Sequence, residues 1–513
     1  MFQTGDLAVP QINGFPYLEK PPLTYIPSWL SCMAAGHVSA GMIRLPAALA
    51  GLICLALLFI TARRFYGEPI AWLCTWLGAT TLNFYAVMHR ASSDSIALLS
   101  CFVCFALFAR NLDGKTERDQ PGATPSLPTW LTDAPLALAL GVSFFVKNFY
   151  TFLIVVPPIV IFLLWSRQGR RLVHLGTLTL AILFVLVLPW AYVLYQRGGS
   201  TFLRVVFFDN TIGRYFSIAN SGLPAAGPLD DVYTIARNHG GTFWMLSTLA
   251  MLILPWALIQ LGALWSIMRT PQHGHQTLFL KIALASIVVS LGLSSSTSPQ
   301  YYLPLLFPLH LATGEFLQGA YAEGAHSTKW RGGIIEINFA LITVAVAVLP
   351  VAAGLFPQHP LLRWLWAPAV LGAMASGLLL SRNCQKFQRL GVTAFVLSAI
   401  MSLLLSASIP FLDTTMSSRP FFDQISGGGD SRQIWTTILD DRRLPAMTFY
   451  LNRRLRIVES PAQLAALLRS DEKIGVVMSP QELAGLRSTL AGITYKTQSA
   501  PSGKNFLVYV TNH

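Results

Sequence analysis

Charge is scarce in this chain. Of its 513 residues only 12% are Asp, Glu, Lys or Arg, while 53% are hydrophobic, a balance that excludes an ordinary soluble enzyme and a disordered tail alike. Cysteine is sparse too, at six. Cys54, Cys74, Cys101 and Cys104 fall in apolar runs, Cys32 in a short amphipathic stretch and Cys384 in a basic loop. That placement excludes a disulfide framework and makes Cys101-x-x-Cys104 a coincidence of spacing rather than a metal or redox motif. There is no Ser-His-Asp arrangement, no phosphate-binding glycine loop and no GxGxxG, and no internal repeat. The first residues read as loop, without an apolar span. The excess of base over acid, +13, sits in short loops between apolar runs, so membrane orientation accounts for it and nucleic acid is not needed as a partner.

What the chain does have is long apolar runs, at roughly 43–62, 69–88, 93–109, 134–147, 149–166, 173–195, 243–268, 276–293, 301–318, 334–354, 361–381 and 391–410. With ~20 residues per bilayer crossing these predict about twelve spans. Residues 24–36 are too short and polar to cross and read as an interfacial helix. The segment from Asp113 to Pro128 reads as a polar, mobile loop. Arg63-Arg64, Arg110, Lys115, Arg118, Arg167, Arg170-Arg171, Arg269, Lys329, Arg331, Arg382, Lys386 and Arg389 occupy alternate loops, which places those loops in the cytoplasm. The opposite set faces outward: residues 1–42, the turns at His89–Asp94, Lys147-Asn148 and Ser294–Gln300, residues 355–360, the long 196–242 loop and everything after Pro410. The fold class is thus a polytopic α-helical membrane protein with a small α/β soluble C-terminal domain, divided as 1–42, 43–410 and 411–513. In the last part a glycine-rich joint at Ser426–Ser431 precedes helices expected at Arg432–Asp440 and Pro461–Ser470. Strands are expected at Met447–Leu451, Arg454–Glu459, Ile474–Met478 and Phe506–Val510.

One stretch concentrates chemistry: Pro16-Tyr17-Leu18-Glu19-Lys20-Pro21-Pro22-Leu23. The prolines fix φ and move Lys20 out of the helical region, so an acid and a base stand on an ordered ledge where a helix begins. A lysine there offers a point charge to a phosphate oxygen, and a glutamate can accept hydrogen bonds, act as a base or hold a metal. The alternative is a solvated ion pair in a surface turn.

Ionisable groups at span ends are costly unless they serve a cavity, and the outward set comprises Glu19, Lys20, Arg44, Arg90, Asp94, Lys147, Arg204, Asp209, Arg214 and His239. Arg44 and Arg204 read equally well as snorkelling to headgroups. Asp94 reads either as an N-cap for a helix starting at Ser95 or as an ion-pair partner of Arg90. His239, before Phe243-Trp244, is a structural histidine or, with Glu19 as partner, a ligand. Tyr301 and Tyr302 belong to an interfacial belt and also offer hydroxyls to a cavity.

Taken together, Met1–Asp6, Val9-Pro10-Gln11-Ile12-Asn13-Gly14, the Glu-Lys-Pro-Pro block, Arg44–Gly51, Asp94, Lys147, Gly213-Arg214-Tyr215-Phe216, His239 and Tyr302-Leu303-Pro304 resemble the bacterial GT-C membrane glycosyltransferases, the family of protein O-mannosyltransferases and lipid A aminoarabinose transferases. The resemblance covers nearly the whole chain; the Glu-Lys-Pro-Pro block is its specific part. It implies transfer of a sugar from a polyprenyl-phosphate donor, at the periplasmic face of the inner membrane, to lipid A, another glycan or a protein. It implies that Lys20, Lys147 and Arg214 face the departing lipid phosphate, that Arg44, Arg90, Tyr301 and Tyr302 line the substrate site, and that Asp94, an acid beside the cavity, is catalytic together with Lys20. It also implies that Glu19, with His239, is a candidate ligand for a divalent metal.

Family members also carry a first transmembrane helix followed by an aspartate that acts as base toward the acceptor, and this chain opens on the part that comes after it. Asp6 matches the later Gly-Asp position, not that base. The expectation is that Met1 is internal to a longer protein or that the product is truncated and inactive. The competing readings are a lipid flippase or transporter, which predicts charges at mid-span and broken helices, and a non-catalytic relative that binds polyprenyl lipid.

Overall fold

The computed structural model describes Met1, residues 4–112, 129–213, 252–270, 274–294, 299–321, 328–354, 419–427, 432–438, 443–499 and 507–512, with Tyr215 and Leu249. The chain divides into two compact units. Met1–Ala8, Leu18–Ser221 and Ala236–Ser402 form one; Val9–Tyr17, Gly222–Ile235 and Leu403–His513 form the other.

The first unit is helical. A 3-10 turn at Pro22–Thr24 leads into α1 (Ile26–Ala35), α2 (Ala40–Tyr66), α3 (Glu68–Ala79), α4 (Leu82–Met88), α5 (Ser93–Ala109), α6 (Thr129–Lys147), α7 (Tyr150–Trp165) and α8 (Gly169–Arg204). Beyond a π-helical stretch at Val205–Gly213 come α9 (Ala257–Arg269), α10 (His275–Gly292), α11 (Leu306–Tyr321) and α12 (Thr328–Gly354). Among the described residues three helices are long and apolar enough to cross a membrane, four if the bent pair α3 and α4 is one span. α1, α5, α7 and α9 are shorter apolar helices. The runs at 361–381 and 391–410, and the segment from Asp113 to Pro128, lie outside the described residues.

Helix ends follow local chemistry. Ser39 caps α2 by accepting from the Met42 amide, and Gly67 (φ 83) ends it, with Arg63 and Arg64 in the last turn facing the negative end of the helix dipole. Where residues 69–88 read as one span, the chain bends by 68° between α3 and α4. The backbone groups freed at such a break need partners in a membrane. Thr80 and Thr81 bond back to Trp76 O (2.7 Å) and Leu77 O (2.9 Å), Trp256 donates to Thr80 Oγ1 (2.8 Å), and the Leu82 amide donates to Leu254 O (3.1 Å). His310 is fully buried on α11 beside this break, its Nδ1 2.7 Å from Leu306 O and its Nε2 3.5 Å from Thr81 Oγ1.

Two more features set the helices in place. Arg171 of α8 clasps the fully buried Asp133 of α6 through Nε (2.9 Å) and Nη2 (2.6 Å) and lies over the Phe108 ring. α8 also runs further than the apolar pattern predicts: residues 196–213, read from sequence as the start of a loop, are helical, and Gly199 (φ 61) kinks the helix instead of ending it.

The second unit holds a five-stranded sheet in the order β4-β3-β5-β7-β6, built from β3 (Gln433–Thr436), β4 (Arg456–Ile457), β5 (Ile474–Met478), β6 (Lys496–Ser499) and β7 (Val508–Thr511), with helices α13 (Arg419–Gly427), α14 (Arg443–Leu451), α15 (Pro461–Arg469) and α16 (Pro480–Gly485). β3 pairs in parallel with β4 and β5, and β7 runs antiparallel to β5 and β6. Two sequence assignments are corrected. Residues 433–436, expected to be helical, form a strand, because Ile434 and Thr436 alternate inward against β5. Residues 447–451, expected to be a strand, lie in α14, where Leu444, Met447 and Leu451 make one buried helical face.

Residues 9–17 join this unit as a hairpin, β1 (Gln11–Ile12) against β2 (Phe15–Pro16). Its two-residue turn is Asn13-Gly14, both at positive φ (54 and 90), the chemistry a tight hairpin turn needs. Ile12 and Phe15 pack on the core made by Phe421, Phe422, Leu444 and Tyr509. The Asn13 side chain completes the attachment, donating to Leu455 O (2.9 Å) and accepting from Leu455 N (2.7 Å).

Candidate active site

Local backbone chemistry brings four elements of the first unit to one place. Ser92 caps α5, accepting from the Asp94 amide (3.1 Å), and its hydroxyl donates to Asp94 Oδ2 (3.0 Å). The cap is therefore Ser92, and Asp94 is freed to use its other oxygen. That oxygen is paired with Lys147 Nζ, at the last residue of α6. Asn148 then takes a left-handed φ of 48, which asparagine tolerates, and the turn starts α7 at Tyr150. The Lys147 ammonium lies 4.5 Å from the Tyr150 ring centroid and 4.1 Å from that of Tyr301. Tyr150 Oη donates to Tyr301 O (2.9 Å), which locks the two aromatic walls together.

The Glu19-Lys20 ledge is anchored on both sides. Asn210 donates to Leu18 O (3.1 Å) and Thr24 Oγ1 donates to the Val146 carbonyl, next to Lys147. Lys20 Nζ is 3.8 Å from Glu19 Oε2; the lysine side chain is 27% exposed, the glutamate 9%. By contrast the Lys147 and Asp94 side chains are 13% and 12% exposed. The Thr24 bond to Val146 sets the ledge beside Lys147, the partner of Asp94. The result is two cations and two carboxylates, with Lys20 the more open of the two ammoniums. A cation that is already half satisfied and still open is suited to an incoming anion.

The other residues singled out from sequence fall elsewhere. Arg90 is exposed and is not the partner of Asp94. Arg44 is exposed on α2. Arg204 pairs with Asp209 (3.6 Å). Tyr302, next to Tyr301, is buried in the core at 1% exposure. Asp6 is paired with Arg197. Arg214 and His239 lie outside the described residues; Tyr215, next to Arg214, donates to Ser290 O (2.7 Å), and burial raises its phenol above the ordinary range. Among the described residues no three His, Cys, Asp or Glu side chains gather as a metal site, and Glu19 has Lys20 for its near neighbour. Sequence reasoning missed Tyr150, Ser92 and Asn210. Of these only Ser92 carried a local signal, as a Ser immediately ahead of an apolar helical run.

Residues 1–200 match the profile of the family described as dolichyl-phosphate-mannose-protein mannosyltransferase. The undecaprenyl phosphate-alpha-4-amino-4-deoxy-L-arabinose arabinosyl transferase of Pseudomonas aeruginosa (strain LESB58) is 26% identical over 385 residues, 73% of this chain and 64% of that protein. A relative of the same description from Pseudomonas fluorescens (strain Pf-5) is 25% identical over 423 residues, 80% of this chain and 69% of its own. The chain thus spans about two thirds of the length of these relatives, and 64% of the first. The crystal structure of ArnT from Cupriavidus metallidurans bound to undecaprenyl phosphate has the same fold, with a TM-score of 0.74 at 19% identity, covering 100% of this chain and 91% of that one. The apo form of that protein superposes with a TM-score of 0.73. The chain is therefore a multi-pass membrane protein with the fold of the GT-C lipid A aminoarabinose transferases, and its first 200 residues carry the mannosyltransferase family pattern.

Proposed function

We propose that the protein transfers a sugar from a polyprenyl-phosphate donor to a lipid acceptor, on the periplasmic face of the inner membrane. The observation that carries this is the cluster of Asp94, Lys147, Tyr150 and Tyr301, with the ledge that bears Glu19 and the more open Lys20 bonded beside it through Thr24 and the Val146 carbonyl. An acceptor phosphate oxygen, already ionised and so with no proton to shed, attacks the anomeric carbon from the face opposite the glycosidic oxygen. The carbon-oxygen bond to phosphate breaks, and polyprenyl phosphate departs carrying one more negative charge. Lys20, with Arg214, meets that growing charge; stabilisation at the place where charge develops lowers the barrier directly. Lys147 forms the rear wall, held by Asp94 and the two tyrosine faces, and contributes positive potential to the same place. Arg44 and Arg90, both exposed, belong to the outer substrate path in this reading, and Tyr302, buried in the core, does not. Glu19 orients Lys20, and it and His239 are the residues that would hold a divalent ion.

The test is transfer from a radiolabelled polyprenyl-phosphate sugar by membranes containing the full chain, wild type against Lys20→Ala and Lys20→Arg. Lys20→Ala is expected to abolish transfer at unchanged expression, and Lys20→Arg to retain a fraction of it. Wild-type turnover in Lys20→Ala refutes the phosphate role.

A further inference from the structure

The second unit carries a strip of arginine that the reading above does not use. We infer that Arg453, Arg454 and Arg456, at the start of the edge strand β4, bind the phosphate of the acceptor lipid's headgroup. This inference rests on the proposed transfer to a lipid acceptor.

The strip is built, not merely charged. Arg453, half-buried, is held by its Nη1 donating to Arg432 O (3.2 Å). Arg456 is held by Gln433 Oε1 (2.8 Å) and lies over the Trp435 ring, its Cζ 5.5 Å from the centroid. Between them Leu455 is clamped by the Asn13 amide through both backbone groups. Arg454 lies along the hairpin turn, so close that a Cβ on Gly14 would sit 3.6 Å from its Nη1. Arg454 and Arg456 are exposed, and none of the three makes an ion pair among the described residues.

Three like charges within four residues repel one another, and an anion relieves that repulsion. Guanidinium forks match phosphate oxygens in pairs, and stacking of one on tryptophan removes part of the entropy that a flexible arginine loses on binding. Among the described residues the outer side of β4 has no neighbouring strand. A phosphorylated glycolipid headgroup offers two kinds of partner here, phosphate for the forks and hydroxyls for the edge backbone.

The experiment measures binding of diphosphorylated lipid A to the full chain in nanodiscs, with no sugar donor present. The affinity is expected to fall roughly tenfold or more in Arg454→Gln with Arg456→Gln, and to stay unchanged in Arg469→Gln, an exposed arginine on α15. Dephosphorylated lipid A is expected to bind the wild type as weakly as the phosphorylated form binds the double variant. Should the double variant fail to fold, Arg454→Gln alone serves, with hydrogen exchange over residues 9–17 as the check that the hairpin stays seated. Equal affinity of variant and wild type overturns the inference, and so does equally tight binding of phosphatidylglycerol, which would make the strip a contact for bulk anionic lipid. The binding measurement needs no donor, so a protein that binds lipid A through this strip yet transfers nothing in the labelled-donor assay refutes the proposed reaction and leaves the strip assigned.

Discussion

Asp94 and Lys147 form a largely buried ion pair across 53 residues of chain, and the lysine is faced at the same time by the rings of Tyr150 and Tyr301. Burying two charges is repaid only when the geometry is close and the remaining bonding capacity is used. Here Ser92 takes up the second carboxylate oxygen.

Removing one partner of this pair strands the other. Asp94→Asn is expected to cost about 2–4 kcal/mol of stability and to lower transfer by at least about tenfold, since Lys147 loses the group that fixes it. The double substitution Asp94→Asn with Lys147→Met should recover most of the stability and none of the activity. Thermal unfolding in detergent, read beside the transfer assay, separates the two effects; recovery of both together would mean that the pair is only structural.

Tyr150 tests the aromatic wall. Tyr150→Phe keeps the face toward Lys147 and loses one hydrogen bond to Tyr301 O, so a loss of about 1 kcal/mol is expected with transfer reduced only a few fold. Tyr150→Leu removes the face as well and should reduce transfer further. Equal activity in the two variants would show that the ring face contributes nothing.

At the other end of α6, Asp133 is fully buried against Arg171. Asp133→Ala leaves a guanidinium unpaired among apolar helices, and a cost of about 3–5 kcal/mol is expected, visible as a lowered unfolding midpoint and poor expression. Replacing both residues, Asp133→Leu with Arg171→Met, should restore the midpoint; if it does not, the pair specifies the α6 and α8 packing and does more than satisfy itself.

The hairpin has a test of its own. Asn13→Ala deletes two hydrogen bonds to Leu455 and a residue suited to positive φ, with an expected cost of about 1–3 kcal/mol. Hydrogen exchange over residues 9–17 should rise sharply while β5 and β7 keep their protection. Unchanged exchange would mean that Ile12 and Phe15 alone hold the hairpin.

Much of the helical unit is legible locally. Apolar runs predict α2, α5, α7 and α10 to within a few residues, because hydrophobicity over a bilayer length is a property of consecutive residues. The Asn13-Gly14 turn is equally legible, a left-handed pair flanked by Ile12 and Phe15. The break at Thr80-Thr81 was not legible: Gly78 just before it is an ordinary residue of an apolar run, and the groups that settle the bend, Leu254 O for the Leu82 amide and Trp256 for the Thr80 hydroxyl, come from far along the chain. The second unit misled for a similar reason. Gln433–Thr436 has the charged neighbours of a helix, and only the parallel partners β4 and β5 make it a strand.

By itself the amino-acid order determined that this is a membrane protein, that Glu19 and Lys20 stand on a non-helical ledge, and that ionisable groups collect at the ends of apolar runs. Tertiary structure decided which of those groups meet. Asp94 takes Lys147 and not Arg90, four residues away, and residues 9–17 fold with the C-terminal sheet hundreds of positions later. The physical reason is one of range. Helix length, capping and hydropathy depend on neighbours in sequence, whereas the choice of an ion-pair partner depends on which charges lose their water together, and that is set by contacts between distant segments.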